Sequence, residues 1–233
     1  MKIEDIIFIT AMGPPGGGRS MISHRMKRHF NCLAYPDLAK ESIVMIFKKI
    51  LNAFVASYSS EISAIIDQVV DSSHCVYVAV ADTLKPTPSK SHYTFNLRDI
   101  SKIMQGVCSG DQKTCTKPLD LVRLWVHENQ RVFGDRMTKP DKDVLLNLLM
   151  IETEKLKLKK TDILNVERIL YGDFISGIDG ENRPYVQIED LTLLLKKINE
   201  YLEDFNDGAK MPMKLVMFLD ACDHVNRICR ILR

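Results

Sequence analysis

From residue 43 to residue 232 the apolar residues recur at intervals of three and four, a spacing that gathers them on one face of an α-helix and excludes a sheet-dominated fold. Ile43, Ile46, Phe47, Ile50, Leu51 and Phe54 form a first series, and Ile62, Ile65, Ile66, Val69 and Val70 a second. Val76 to Leu84 is rich in β-branched residues, yet it continues the series without a turn signal, and so predicts helix. Only residues 3–12 (IEDIIFITAM) make a short continuous apolar run with charges before it and Gly13-Pro14-Pro15 behind. That pattern predicts one buried strand.

Punctuation divides the helical part. Lys85-Pro86-Thr87-Pro88-Ser89 predicts a rigid, exposed connection, because two prolines remove donors and hold the chain extended. Asn96 then caps a helix carrying Ile100, Ile103 and Met104, with Asp99 placed to complete a capping box and an end expected near Gly106. Val122, Trp125, Val126, Asn129, Val132 and Phe133 mark the next helix, which Lys139-Pro140 is expected to close. Asp141 to Leu158 begins as a helix and dissolves into KLKLKK, whose charges predict a solvated face or linker and a boundary near residue 160. Tyr171-Gly172-Asp173-Phe174 predicts a compact turn. Two single-striped helices follow, through Ile188, Leu191, Leu195, Ile198 and Leu202 and through Leu215, Phe218, Cys222, Val225, Cys229 and Leu232.

Several functions are excluded on composition. With 32 Lys and Arg against 30 Asp and Glu the formal charge is +2, so the strong basic field of a dedicated nucleic-acid binder is missing. No apolar run approaches the ~18 residues of a membrane span, and Glu4 and Asp5 stand where a secretion signal needs positive charge. Six cysteines without a CxxC pair suit neither a zinc ribbon nor a disulfide scaffold and imply a reducing compartment. His127-Glu128 begins an HExxH zinc motif, but Arg131 holds the second histidine position, so no metal site is expected.

Gly13-x-x-x-x-Gly18-Arg19-Ser20 has the spacing of a phosphate-binding P-loop behind a strand. Arg19 is a poor substitute for the point charge of the usual Lys, and Pro14 and Pro15 delete amides that the cradle would use. A magnesium carboxylate would have to be Asp82. Arg19, Arg25, Lys27 and Arg28 place four cations in ten residues beyond the strand end, where they either meet a phosphate or form a solvated basic loop.

The blocks AMGPPGGGR (11–19), RHFN (28–31), PTPSKSHYTFNLRDIS (86–101), RVFGDRM (131–137) and HVNRICRILR (224–233) stand in the order found in axonemal dynein heavy chains, which the sequence resembles over essentially its whole length. The resemblance is to the end of the third AAA+ module and the start of the fourth. It implies a mainly α fold: an AAA+ helical lid, a remnant of the α/β core comprising the sensor-1 strand and its following loop, and the first helices of the next module. The implied boundaries are 1–36 for the core remnant, 37–140 for the lid, 141–170 for a linker and 171–233 for the next module's helices.

By the same resemblance, the glycine stretch is the loop after sensor-1, and the Walker motifs lie upstream of this sequence. Met12 stands at a degenerate sensor-1 position, Ser20 replaces a usual Asn and His24 a usual Pro. Arg98 of NLRD corresponds to the sensor-2 arginine for ATP, and Arg25 and Arg28 to an arginine finger acting on the neighbouring module. The implied parent is an ATP-driven microtubule motor of cytoplasm, cytoskeleton and cilium axoneme. It would bind ATP or ADP with Mg and work with the rest of the heavy-chain ring, intermediate and light chains and microtubules, but not with nucleic acid or membrane. This chain alone is expected to bind no cofactor and to be inactive. The rival readings are a small P-loop NTPase using Gly13 to Ser20 with Asp82, and a free helical interaction module.

Overall fold

The computed structural model of the chain describes residues 5–13, 21–36, 38–164, 168–175, 177 and 183–232. Two compact units are present, Met1–Leu38 and Ala39–Arg233. In the first, residues 6–13 run without regular structure and Ile7 and Ile9 are 86% and 92% exposed, so the buried strand read from this apolar run is not formed. A strand exists only through backbone partners, and no ladder among the described residues includes these positions. Among the described residues the unit's regular element is the single turn α1 (His24–Lys27), capped by Ser23, whose hydroxyl accepts from the amide of Met26.

The second unit is mainly helical, as the periodicity predicts. Helices α2 (Lys40–Phe54) and α3 (Ser60–Thr83) pack as an antiparallel pair. They are followed by α4 (Leu97–Val107), α5 (Pro118–Val132), α6 (Lys139–Lys155) and the short α7 (Lys160–Ile163). Val76 and Val80 lie in α3 and are buried, which settles the ambiguous segment as helix.

Helix α5 is the centre of the unit. Pro118 opens it, Asp120 accepts from the amides of Lys117 and Thr116 at 2.9 and 3.1 Å, and α3, α4 and α6 surround it. Burial from every side explains why Leu121, Val122, Leu124, Trp125 and Val126 are all sealed from solvent, with no exposed face through the middle of the helix.

Several boundaries differ from the sequence expectation. Lys139-Pro140 starts α6 instead of closing α5, because a proline in a first turn needs no donor. Helix α6 ends in a Schellman motif: Lys157 takes φ 61°, its amide donates to Glu154, and that of Leu158 donates to Thr153. Ile46 and Ile50 are 43% and 49% exposed although they fit the helical stripe, since α2 packs chiefly on α3 and its apolar arc is wider than that contact. The Asp37 cap lies outside the described residues; the residue at the N-cap is Ala39.

Beyond residue 168, Tyr171 and Gly172 belong to β1 (Leu170–Gly172), which pairs antiparallel with β2 (Val186–Ile188), so the expected turn begins only at Asp173. Leu170 and Ile188 face a small second core with Leu194 and Ile198 of α8 (Leu191–Gly208) and Cys222 of α9 (Leu219–Leu232). Tyr171 and Tyr185 face the main core. The last stripe is shorter than expected: Leu215 and Phe218 precede α9 and are exposed, and so is Leu232.

Candidate functional site

The residues expected to meet nucleotide fall in both units. In the first, Arg25 lies in α1 and Arg28 is its C-cap, three positions on, and both are exposed. Arg28 donates through Nε to Nε2 of His29 at 3.3 Å, and neither arginine forms an ion pair among the described residues. Met12 is 58% exposed. Pro14 to Ser20, with the glycine stretch and Arg19, lie outside the described residues.

Arg98 belongs to the second unit. Asn96 caps α4 by accepting from the amide of Arg98 at 2.9 Å, and Asp99 returns the bond by accepting from the amide of Asn96 at 3.1 Å. The predicted capping box is therefore formed. Asp99 is buried, and Arg136 pairs with it at 2.7 Å while lying 5.2 Å over the ring of Phe95.

The preceding segment is pinned a second time. Asp141 accepts from Lys90 Nζ at 2.6 Å, the Tyr93 hydroxyl at 2.6 Å and the Thr138 hydroxyl at 2.7 Å. These bonds, Lys90 first, hold the Asp141 carboxyl down to about 2. Arg98 is exposed on this rigid start and forms no ion pair among the described residues. Its guanidinium is thus available for a ligand anion.

A second polar cluster went unread in the sequence. His127 and Glu128 of α5 are fully buried. Nδ1 of His127 donates to the carbonyl of Ile169 at 2.8 Å, which leaves Nε2 as an acceptor, 3.5 Å from Nη1 of Arg227 and 3.2 Å from the Tyr185 hydroxyl. Desolvation, and then the nearby Arg227, hold the imidazole well below its usual pKa and so neutral. Glu128 accepts from Nη2 of Arg131 at 2.7 Å and from the Tyr185 hydroxyl at 3.2 Å, with Nε of Arg230 at 3.6 Å. The aborted zinc motif was the available signal. The partners from α9 lie a hundred positions away, and no local pattern joins them. Groups of His, Cys, Asp and Glu able to hold a metal are absent among the described residues.

A cavity of about 230 Å³ between the α4–α5 connection and the hairpin is lined by Asp111, Asp120, Glu189, Tyr171 and Tyr185, an acidic set that repels phosphate. Asp82, the magnesium carboxylate of the NTPase reading, is an exposed residue of α3 and ends no strand, which disfavours that reading. No helix among the described residues is long and apolar enough to cross a membrane.

Comparison with known proteins bears on the same elements. Residues 69–168 match the AAA+ lid domain, and residues 1–38 match the P-loop containing dynein motor region. Dynein axonemal heavy chain 1 of Homo sapiens is 37% identical over 245 residues, covering 100% of this chain. Axonemal dynein heavy chains are therefore its homologues over the whole chain. Dynein axonemal heavy chains 6 and 3 of Homo sapiens are 35% and 34% identical, again across all of this chain. The chain spans about 6% of the length of each of these three relatives. The lid match takes in α4, α5 and α6, and so contains Arg98 and its capping box.

Proposed function

We propose that this chain is a working part of an ATP-driven, microtubule-based motor of the cilium axoneme and cytoskeleton, contributing lid and trans-acting residues to nucleotide sites in a ring of AAA+ modules. Residues 1–36 supply the end of one α/β core, 37–140 its lid, 141–170 a linker and 171–233 the opening helices of the following module. The observation that carries the reading is an exposed, acid-free Arg98 held in the first turn of a doubly anchored lid helix, within a sequence similar throughout to axonemal dynein heavy chains. Its planar fork suits phosphate oxygens in a way that Lys cannot reproduce.

In this reading Arg98 senses ATP or ADP, bound with Mg by the intact parent. Met12 replaces the polar sensor at the end of the core segment, and Arg25 or Arg28 reaches the neighbouring module's nucleotide. Partners are the rest of the heavy-chain ring, intermediate and light chains, and microtubules through the parent. The chain by itself turns over no ATP.

The experiment is nucleotide affinity and turnover in the complete motor. Arg98→Lys should weaken binding at this module, and unchanged affinity with unchanged lid closure overturns its role. Arg25→Ala or Arg28→Ala should slow the neighbouring site, by up to ~10³-fold if the residue acts as a full finger. Two unaffected variants remove both from the mechanism.

A further inference from the structure

Three guanidinium groups and three carboxylates meet where α9 lies on α5. Glu128 sits among Arg131 and Arg230, and Arg227 of α9 reaches Asp135 at 2.8 Å and Asp223 at 3.6 Å. Glu128 is 0% exposed, and the side chains of Arg131 and Arg230 are 16% and 11% exposed, so this charge is balanced by protein and not by water. Arg230 also lies 5.3 Å over the ring of Tyr185 and donates to the Ser109 hydroxyl at 3.3 Å. One side chain of α9 therefore touches α5, the residue preceding β2 and the turn that follows α4.

From this geometry we infer that Glu128 is a two-sided ionic pin. It holds Arg131 on its own helix and Arg230 on α9, and thereby fastens α9 and the hairpin to the lid helix as one moving body. The apolar contacts of α9 are shared with β1 and α8 within the small second core, whereas the junction with α5 is built from charge. A junction of this kind is specific in register, because α9 displaced by one turn would leave Glu128 buried beside Arg131 alone and would strip Arg227 of Asp135. The pin goes beyond the motor reading and is independent of it. Where that reading also holds, lid displacement would be passed to α9.

Hydrogen exchange of the full chain tests the pin, with Glu128→Gln and Arg230→Met compared with the unaltered protein. Each variant should speed exchange of the α9 amides, residues 219–232, by tenfold or more while α2 and α3 keep their protection, and the double variant should exchange less than the sum of the two. Unchanged α9 exchange overturns the inference, and so does an equal rise in every helix, which would indicate general destabilisation. Should Glu128→Gln not fold, Arg230→Met alone decides by the same criterion, since it keeps an aliphatic stem and removes the guanidinium that reaches Glu128.

Discussion

Trp125 donates its indole N–H to the hydroxyl of Ser73 over 2.7 Å where α5 crosses α3, and both side chains are sealed from solvent. Ser73 passes its own proton to the carbonyl of Val69 at 2.7 Å. The indole thus has a partner only because a serine stands in an otherwise apolar helix face. Ser73→Ala should cost about 1–3 kcal/mol, the desolvation of an unpaired donor, measured as a lower urea midpoint. Combined with Trp125→Phe, the two losses should be non-additive by about 0.5 kcal/mol or more, and strict additivity would show that the bond carries no stability.

The Asp141 anchor has a defined pH window. Its folded pKa of about 2 lies below the ordinary carboxylate value of ~3.9, so its contribution is complete above that value and is lost as pH falls through about 2. Asp141→Asn should be less stable than the parent by a constant margin above pH 5, and the margin should shrink between pH 4 and 2. Lys90 is shifted upward by the same pair, so once Asp141 is ionised the contribution holds until pH rises through the raised Lys90 value. Unfolding midpoints taken across pH separate the two limbs.

Gly106 of α4 faces Glu128 so closely that a methyl group there would overlap the carboxylate. Helix propensity alone makes Gly106→Ala stabilising by up to ~1 kcal/mol. Overpacking costs about 1–3 kcal/mol, and pushing the carboxylate away from Arg131 and Arg230 adds to it. Net destabilisation is therefore expected, and a raised melting temperature would show that Glu128 can move without loss.

His127 is neutral in the fold and charges on unfolding. Its depressed folded pKa means that the unfolded chain binds more protons below pH ~6.5, so stability falls as pH drops there, by up to ~1.4 kcal/mol per pH unit. The groups facing it, Arg227, Arg131 and Arg230, are cationic and offer the extra proton no relief. In His127→Gln the slope between pH 6.5 and 5 should flatten in chemical denaturation. An unchanged slope would place the proton uptake elsewhere.

The sequence by itself determined most of the helical segments and how α4 begins. Periodicity and the Asn96–Asp99 spacing are local, and a helix satisfies its backbone within its own residues. It also carried the resemblance to axonemal dynein heavy chains, through blocks distributed over the whole chain. Tertiary structure decided the rest. The apolar residues 6–9 lack a strand because a strand needs partners, and the three-residue strands β1 and β2 arise only where they pair. Helix α6 ends at Lys155 without a glycine to announce it, since two backbone bonds hold the left-handed Lys157 in place beyond it. The pairing of Glu128 with Arg230 required folding to bring α5 and α9 together, because a buried charge takes whichever partner packing supplies across any distance in sequence.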